Sequence, residues 1–262
     1  MKHKLGCSAW GATLENKLDS IRLLADTGFD TIMLPMLLKD KNGQEKLHTL
    51  ITDLGMTVDT LHSPFDRIND IWYDDDEYDS MTRLYKECID FCADLHTHTM
   101  VLHDSSQRIC PDMNCTGLAR FREIYLYAQE KGVRIAMENL RRTNYIGRIF
   151  HENRDLPLYF CWDSGHEQCY TPGVEHLALF PEKLICTHIH DNSGLYTHDD
   201  HWLPFDGVCD WEKKAELIRK SGYTGALTLE LSRGSAKYAH MTDAQYAKEA
   251  YERLKRFADM CE

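Results

Sequence analysis

Eight short apolar runs, rich in β-branched residues, alternate with helix-length segments along the whole chain. The runs are Lys4–Ser8, Thr31–Pro35, Thr57–His62, Thr99–His103, Arg134–Glu138, Leu158–Asp163, Leu184–His190 and Ala226–Leu231. Strands of this length separated by helices predict parallel pairing through crossovers. In Leu14–Thr27, Leu18, Ile21, Leu24 and Ala25 fall on one helical face, and Gly28 supplies a stop. Further helices are expected at Gln44–Leu54, Asp79–Ala93, Leu118–Lys131, Pro172–Phe180, Trp211–Lys220 and Asp243–Met260. Eight such units in 262 residues match the count and size of an α/β (β/α)8 TIM barrel, read as a single domain over 1–262. An open doubly wound sheet has a similar strand order, but the chain carries neither G-x-G-x-x-G nor a phosphate-loop motif.

The runs end on metal-ligand and general-base residue types: His62, His103, Glu138, Asp163, His188 and Glu230. In a closed barrel, strand ends face one point, so a metal site is the leading expectation. Glu138 and Glu230 each follow a buried run, where an isolated charge is costly and a cation is a natural partner. Two carboxylates flanking one ion also suit proton shuttling between adjacent carbons. In Asp163-Ser164-Gly165-His166 the small central pair lets His166 turn back toward Asp163; the equal alternative is that Asp163 caps the next helix. Strand alternation places His188 and His190 on the same inward face, with Asp191 positioned to orient a ring nitrogen. Asp199 and His201 lie in a long loop, Asp191–Asp210, where a solvated polar loop is the simpler reading. A second long loop, Ser63–Asp79, carries Asp70 and the acidic run Asp74-Asp75-Asp76-Glu77. Both loops are expected over the mouth of the barrel.

The formal net charge of −12 disfavours nucleic acid as a partner. No stretch approaches the length of a membrane span, and Met1-Lys2-His3-Lys4 is followed by no long apolar region. Ten scattered cysteines read as reduced thiols of a cytoplasmic protein, with Cys110 and Cys115 a weak candidate metal pair. Homo-oligomerisation is left open.

In this order, the motifs resemble the xylose-isomerase-like TIM-barrel superfamily, the group of sugar-phosphate isomerases and epimerases and of endonuclease IV. They are Leu61-His62-Ser63-Pro64-Phe65, Val101-Leu102-His103, Met137-Glu138-Asn139, Asp163-Ser164-Gly165-His166, His188-Ile189-His190-Asp191-Asn192, Asp199-Asp200-His201 and Leu229-Glu230. The resemblance implies one divalent ion, zinc or manganese, held by Glu138, Asp163, His188 and Glu230. Glu138 and Glu230 then also act as the acid/base pair, moving a proton through a metal-stabilised enediolate of a small carbohydrate. The trinuclear zinc site of endonuclease IV has further ligand positions, which correspond to His62, His103, His166, Asp199 and His201. The ion count is thus one to three, and zinc phosphoester hydrolysis is the alternative activity. Asn139, Arg141, His190 and Arg233 are the expected substrate contacts, the two arginines for an anion.

Overall fold

The structure, a computed structural model, describes residues 3–73, 80–106 and 109–262. The acidic run Asp74–Glu77 and the expected helix start at Asp79 lie outside the described residues. Eight parallel strands run β1 (Leu5–Ser8), β2 (Thr31–Pro35), β3 (Thr57–His62), β4 (Thr99–Leu102), β5 (Arg134–Glu138), β6 (Tyr159–Asp163), β7 (Leu184–His188) and β8 (Leu227–Leu229). From β1 to β7 each strand hydrogen-bonds to the next in sequence, and β1 pairs with β8. Ile189 closes the ring just past β7: its N–H donates to Thr228 O at 2.8 Å and its carbonyl accepts from Glu230 N at 3.1 Å. The result is a (β/α)8 TIM barrel.

The helices between them are α1 (Leu14–Thr27), α2 (Lys41–Asp53), α3 (Ser80–Asp94), α4 (Cys115–Glu130), α5 (Thr143–Glu152), α6 (Ser164–Tyr170), the single turn α7 (His176–Leu179), α8 (Trp211–Ser221) and α9 (Asp243–Met260). Gly28 ends α1 in the left-handed region at φ 110°, where its N–H reaches Leu24 O and Ala25 O. Helix α9 opens on a reciprocal capping box between Thr242 and Gln245. The expected helix over Pro172–Phe180 shrinks to α7, whose core-facing apolar side chain is Leu177. No described helix is long and apolar enough to cross a membrane.

Period-2 alternation places the site. Val101, Ala136, Cys161 and Cys186 form a small cluster of their own, apart from the large core between sheet and helices. Two residues further along the same strands stand His103, Glu138, Asp163 and His188. A layer of small side chains therefore lies directly beneath the ligand-type residues at the C-terminal end of the barrel.

Candidate active site and metal centre

Glu138, the last residue of β5, is fully buried and faces four imidazoles. Its Oε2 lies 3.0 Å from His103 Nε2 and 3.4 Å from His62 Nε2. Its Oε1 lies 3.2 Å from both His188 Nδ1 and His166 Nδ1. His188 Nδ1 also approaches Glu230 Oε2 at 3.3 Å, so two glutamates share one ring nitrogen. Asp199 Oδ2 sits 3.1 Å from His166 Nε2 and 3.3 Å from His201 Nε2. Asp163 joins from the side: Oδ1 accepts from His166 N at 2.6 Å, and His190 Nε2 is 3.1 Å from both of its oxygens. Asp163 thus caps α6 and lies within the cluster. The structure brings all nine expected ligand positions into this one constellation.

The imidazoles are oriented from behind. His62 Nδ1 faces Ser63 O at 2.8 Å, His166 Nδ1 faces Asn139 O at 3.0 Å, and His201 Nδ1 faces Glu230 O at 3.0 Å. A ring that donates Nδ1–H to a carbonyl presents a lone pair at Nε2 when neutral. In all three, Nε2 points at a carboxylate, which also offers only lone pairs. Each such gap calls for a proton or a cation. His188 Nε2, His190 Nδ1 and Asp199 Oδ1 are buried and without a hydrogen-bond partner among the described residues. Several triads of ligand atoms lie within 4.8 Å of one another, among them His62–His103–Glu138, His62–His188–Glu230 and His190–Asp199–His201. The donor set fits one or more divalent ions.

The protonation pattern carries the same demand for positive charge. Burial would raise Glu138, but His188 and His103 outweigh it and hold the carboxylate well below its usual range. Glu230 and Asp199 are also held low against burial, mainly by His188 and by His166 respectively. In turn, burial of His188 and His166 is overcome by their carboxylates, which raise both rings. His201 is pushed up to about 10 against burial, chiefly by Asp199. His103 goes the other way, lowered by burial. His201 also holds φ at 48°, a left-handed conformation uncommon for a histidine.

Of the four expected substrate contacts, Arg141 alone lines the cleft above this cluster. Asn139 is fully buried, and its amide is consumed by the backbone of Asp163: Nδ2 donates to Asp163 O at 2.8 Å and Oδ1 accepts Asp163 N at 2.7 Å. His190 is fully buried between Asp163 and the face of His201, the two rings stacked at 4.1 Å. Arg233 is taken by Asp243 Oδ1 at 2.8 Å and by the carbonyls of Tyr238 and Met241, away from the cleft. Among the described residues Asp191 meets no imidazole; it accepts Cys209 N at 3.0 Å and Trp211 Nε1 at 3.0 Å, pinning the return of the long loop. Cys110 is buried and Cys115 exposed, both as free thiols.

Phe65, Ser106, Leu140 and Tyr170 also line the cleft and were given no role in the sequence reading; the two aromatic ones touch the cluster. Phe65 stacks on His103 at 4.5 Å, and its place in His62-Ser63-Pro64-Phe65 was the available signal. Tyr170 stacks on His166 at 5.0 Å and donates to Asp199 at 3.3 Å. It reaches the cleft from the end of α6, a helix too short and too polar to announce itself.

The family model described as xylose isomerase-like TIM barrel matches residues 21–257. An uncharacterized protein, y4fM, of Sinorhizobium fredii is 33% identical over 178 residues, 63% of this chain and 57% of that protein. The alignment therefore spans little more than half the length of that relative. Among solved structures, an L-ribulose 3-epimerase superposes with a TM-score of 0.77 at 15% identity, over 99% of this chain and 95% of its own. D-psicose 3-epimerase from Clostridium cellulolyticum H10 gives 0.75 at 15% identity, with both chains covered in full. The 3-keto-D-glucoside 4-epimerase YcjR of E. coli gives 0.72 at 16%, over 97% of this chain and 99% of its own. With a barrel whose strand ends carry this constellation and a family model matching nearly its whole length, the chain belongs to the xylose isomerase-like TIM-barrel family.

Proposed function

We propose that the protein is a divalent-metal-dependent isomerase or epimerase of a small sugar or sugar derivative, moving a proton at the carbon beside a carbonyl. The observation that carries this reading is the pair Glu138 and Glu230, both on His188 Nδ1 at 3.2 and 3.3 Å and both lining one cleft. Glu138, Asp163, His188 and Glu230 would hold a first ion, with His62, His103, His166, Asp199 and His201 available to others. When bound, the ion draws electron density from the substrate carbonyl and so acidifies the neighbouring C–H.

The chain's own residues supply the rest. Glu138 and Glu230 are held ionised, which makes each a proton acceptor. Proton removal by one, and return to the opposite face by the other once it has taken up a proton from solvent, inverts the carbon. Return to the adjacent carbon by the glutamate that removed the proton, with the hydroxyl proton passing to the former carbonyl oxygen, isomerises the sugar. Phe65 and Tyr170 wall the cleft with aromatic faces that limit water around the reacting carbon. The sugar epimerases among the fold neighbours support the substrate class.

A second reading, a zinc phosphoesterase like endonuclease IV, draws on the nine clustered ligand positions. Against it stand the net charge of −12 and a cleft with Arg141 as its lone Lys/Arg side chain among the described residues. Zinc- or manganese-loaded protein is to be assayed for solvent-deuterium uptake beside the carbonyl of D-psicose, D-tagatose and L-ribulose, and for cleavage of abasic DNA. Exchange that falls about 10²–10⁴-fold in Glu230→Gln, with unchanged circular dichroism, is the expected outcome. DNA cleavage without exchange overturns the isomerase reading.

A further inference from the structure

The constellation accounts for the carboxylates and imidazoles of the cleft but not for its arginine. Arg141 stands half-buried in the cleft wall, with its guanidinium 3.8 Å from the Tyr170 ring centre. Of its five N–H donors, one is used among the described residues, from Nη2 to Tyr170 Oη at 2.7 Å. Its Nε is buried with no partner among the described residues. Three carboxylates line the same cleft, Glu138, Asp199 and Glu230, and none forms an ion pair with it. Neighbouring arginines are committed: Arg142 to Asp112 at 3.7 Å and Tyr145 Oη at 3.2 Å, Arg120 to the carbonyls of Ile71 and Tyr73. A guanidinium braced against an aromatic face, with its fork unspent, is a receptor for a planar or tetrahedral oxyanion.

We infer that the substrate is an anionic sugar, carrying a carboxylate or a phosphate that Arg141 receives on the α6 side of the cleft. This rests on the isomerase reading above and narrows its substrate class. The site's own acids make an uncompensated anion unwelcome, so a dedicated cation is what lets such a substrate enter.

The test uses matched pairs on metal-loaded protein: D-ribulose 5-phosphate against D-ribulose, and D-fructuronate against D-fructose. Binding is followed by calorimetry and deuterium uptake by NMR, for wild type, R141M and R141K. At least one anionic sugar is expected to bind about tenfold or more tightly than its neutral partner. R141M should remove that preference, weakening the anionic member about tenfold or more beyond whatever it does to the neutral one, and R141K should restore only part of it, because an ammonium lacks the fork. The pair that responds tells phosphate from carboxylate. If R141M weakens both members alike, Arg141 merely props Tyr170 and the inference falls. It falls too if neither anionic sugar binds saturably, or if R141M does not fold and R141K keeps the full preference. Exchange confined to neutral sugars leaves the isomerase reading intact and overturns this one. An Arg141-dependent preference in binding without exchange on any sugar does the reverse.

Discussion

Glu167 shows how a charge next to the centre is used for support rather than chemistry. It follows His166 in α6 but points away from the cleft, to Lys214 Nζ at 3.1 Å and His176 N at 2.7 Å. Lys214 also donates to Ser164 O at 3.0 Å, so one buried ion pair holds both ends of the turn that carries His166. Burial would raise Glu167, but Lys214 and then His176 outweigh it and bring it down to about 2. A depressed carboxylate contributes stability above its unfolded value of about 4.5 and loses it as pH falls toward the folded value. Glu167→Gln should therefore cost about 3 kcal/mol at pH 7, because Lys214 is left buried and unpaired. The gap between variant and wild type should close as pH falls from about 4.5 to about 2. Urea midpoints across that range check it, and a gap independent of pH would refute the pairing. At this scale the sequence was most legible where residue type and strand position agreed, as at His62, Glu138 and His188. It misled at Asn139, His190 and Arg233, because a polar side chain near a strand end serves backbone or neighbouring acids as readily as a substrate.

Among the elements, α6 decides the shape of the centre. It has seven residues, opens on the Asp163 cap, and delivers His166 at one end and Tyr170 at the other. Its fit depends on Gly165, where a Cβ would fall 2.0 Å from His190 Cε1 and 2.3 Å from His190 Nδ1. That ring cannot retreat, since His201 stacks on its face and Asp163 holds Nε2. Gly165→Ala is expected to destabilise the fold by about 1–3 kcal/mol and to weaken metal binding about 10–100-fold. Urea unfolding and competition with a chelating dye measure the two effects; unchanged metal affinity would show that α6 does not position the ligands. Neither α5 nor α6 was legible as a helix. In α5, Tyr145, Ile146, Ile149 and Phe150 keep helical spacing on the buried face, but the stretch is only ten residues long and Gly147 on its outer side lowers helix propensity. In α6 six of seven residues are buried, polar ones included, so no amphipathic face exists to be read. Most strands were legible because they are buried on both faces and end abruptly, as parallel strands covered by helices do; β3, with Thr57, Asp59 and Thr60, is the most polar of them.

On the scale of the whole molecule, the barrel gathers Glu138, Asp163, Asp199 and Glu230, four acids from separate elements, over a layer of small side chains. Without a metal, protons on His166, His188 and His201 must offset them. That arrangement has a testable signature. His201 sits at about 10 in the folded chain against an unfolded value of about 6.5. A raised histidine contributes stability in full below the unfolded value and loses it as pH climbs through the folded one. Chelated protein should therefore lose stability between about pH 6.5 and 10, at a limiting slope of about 1.4 kcal/mol per pH unit for each such proton. On the proposed reading, bound zinc or manganese would be held by neutral rings and would replace those protons, so affinity should rise with pH and cancel the loss. The Tm difference between metal-loaded and chelated protein is then expected to widen steadily from pH 6 to pH 9. Equal melting curves across that range would mean that these acids and imidazoles balance one another unaided, and the metal centre would have to be abandoned along with the proton-transfer chemistry built on it.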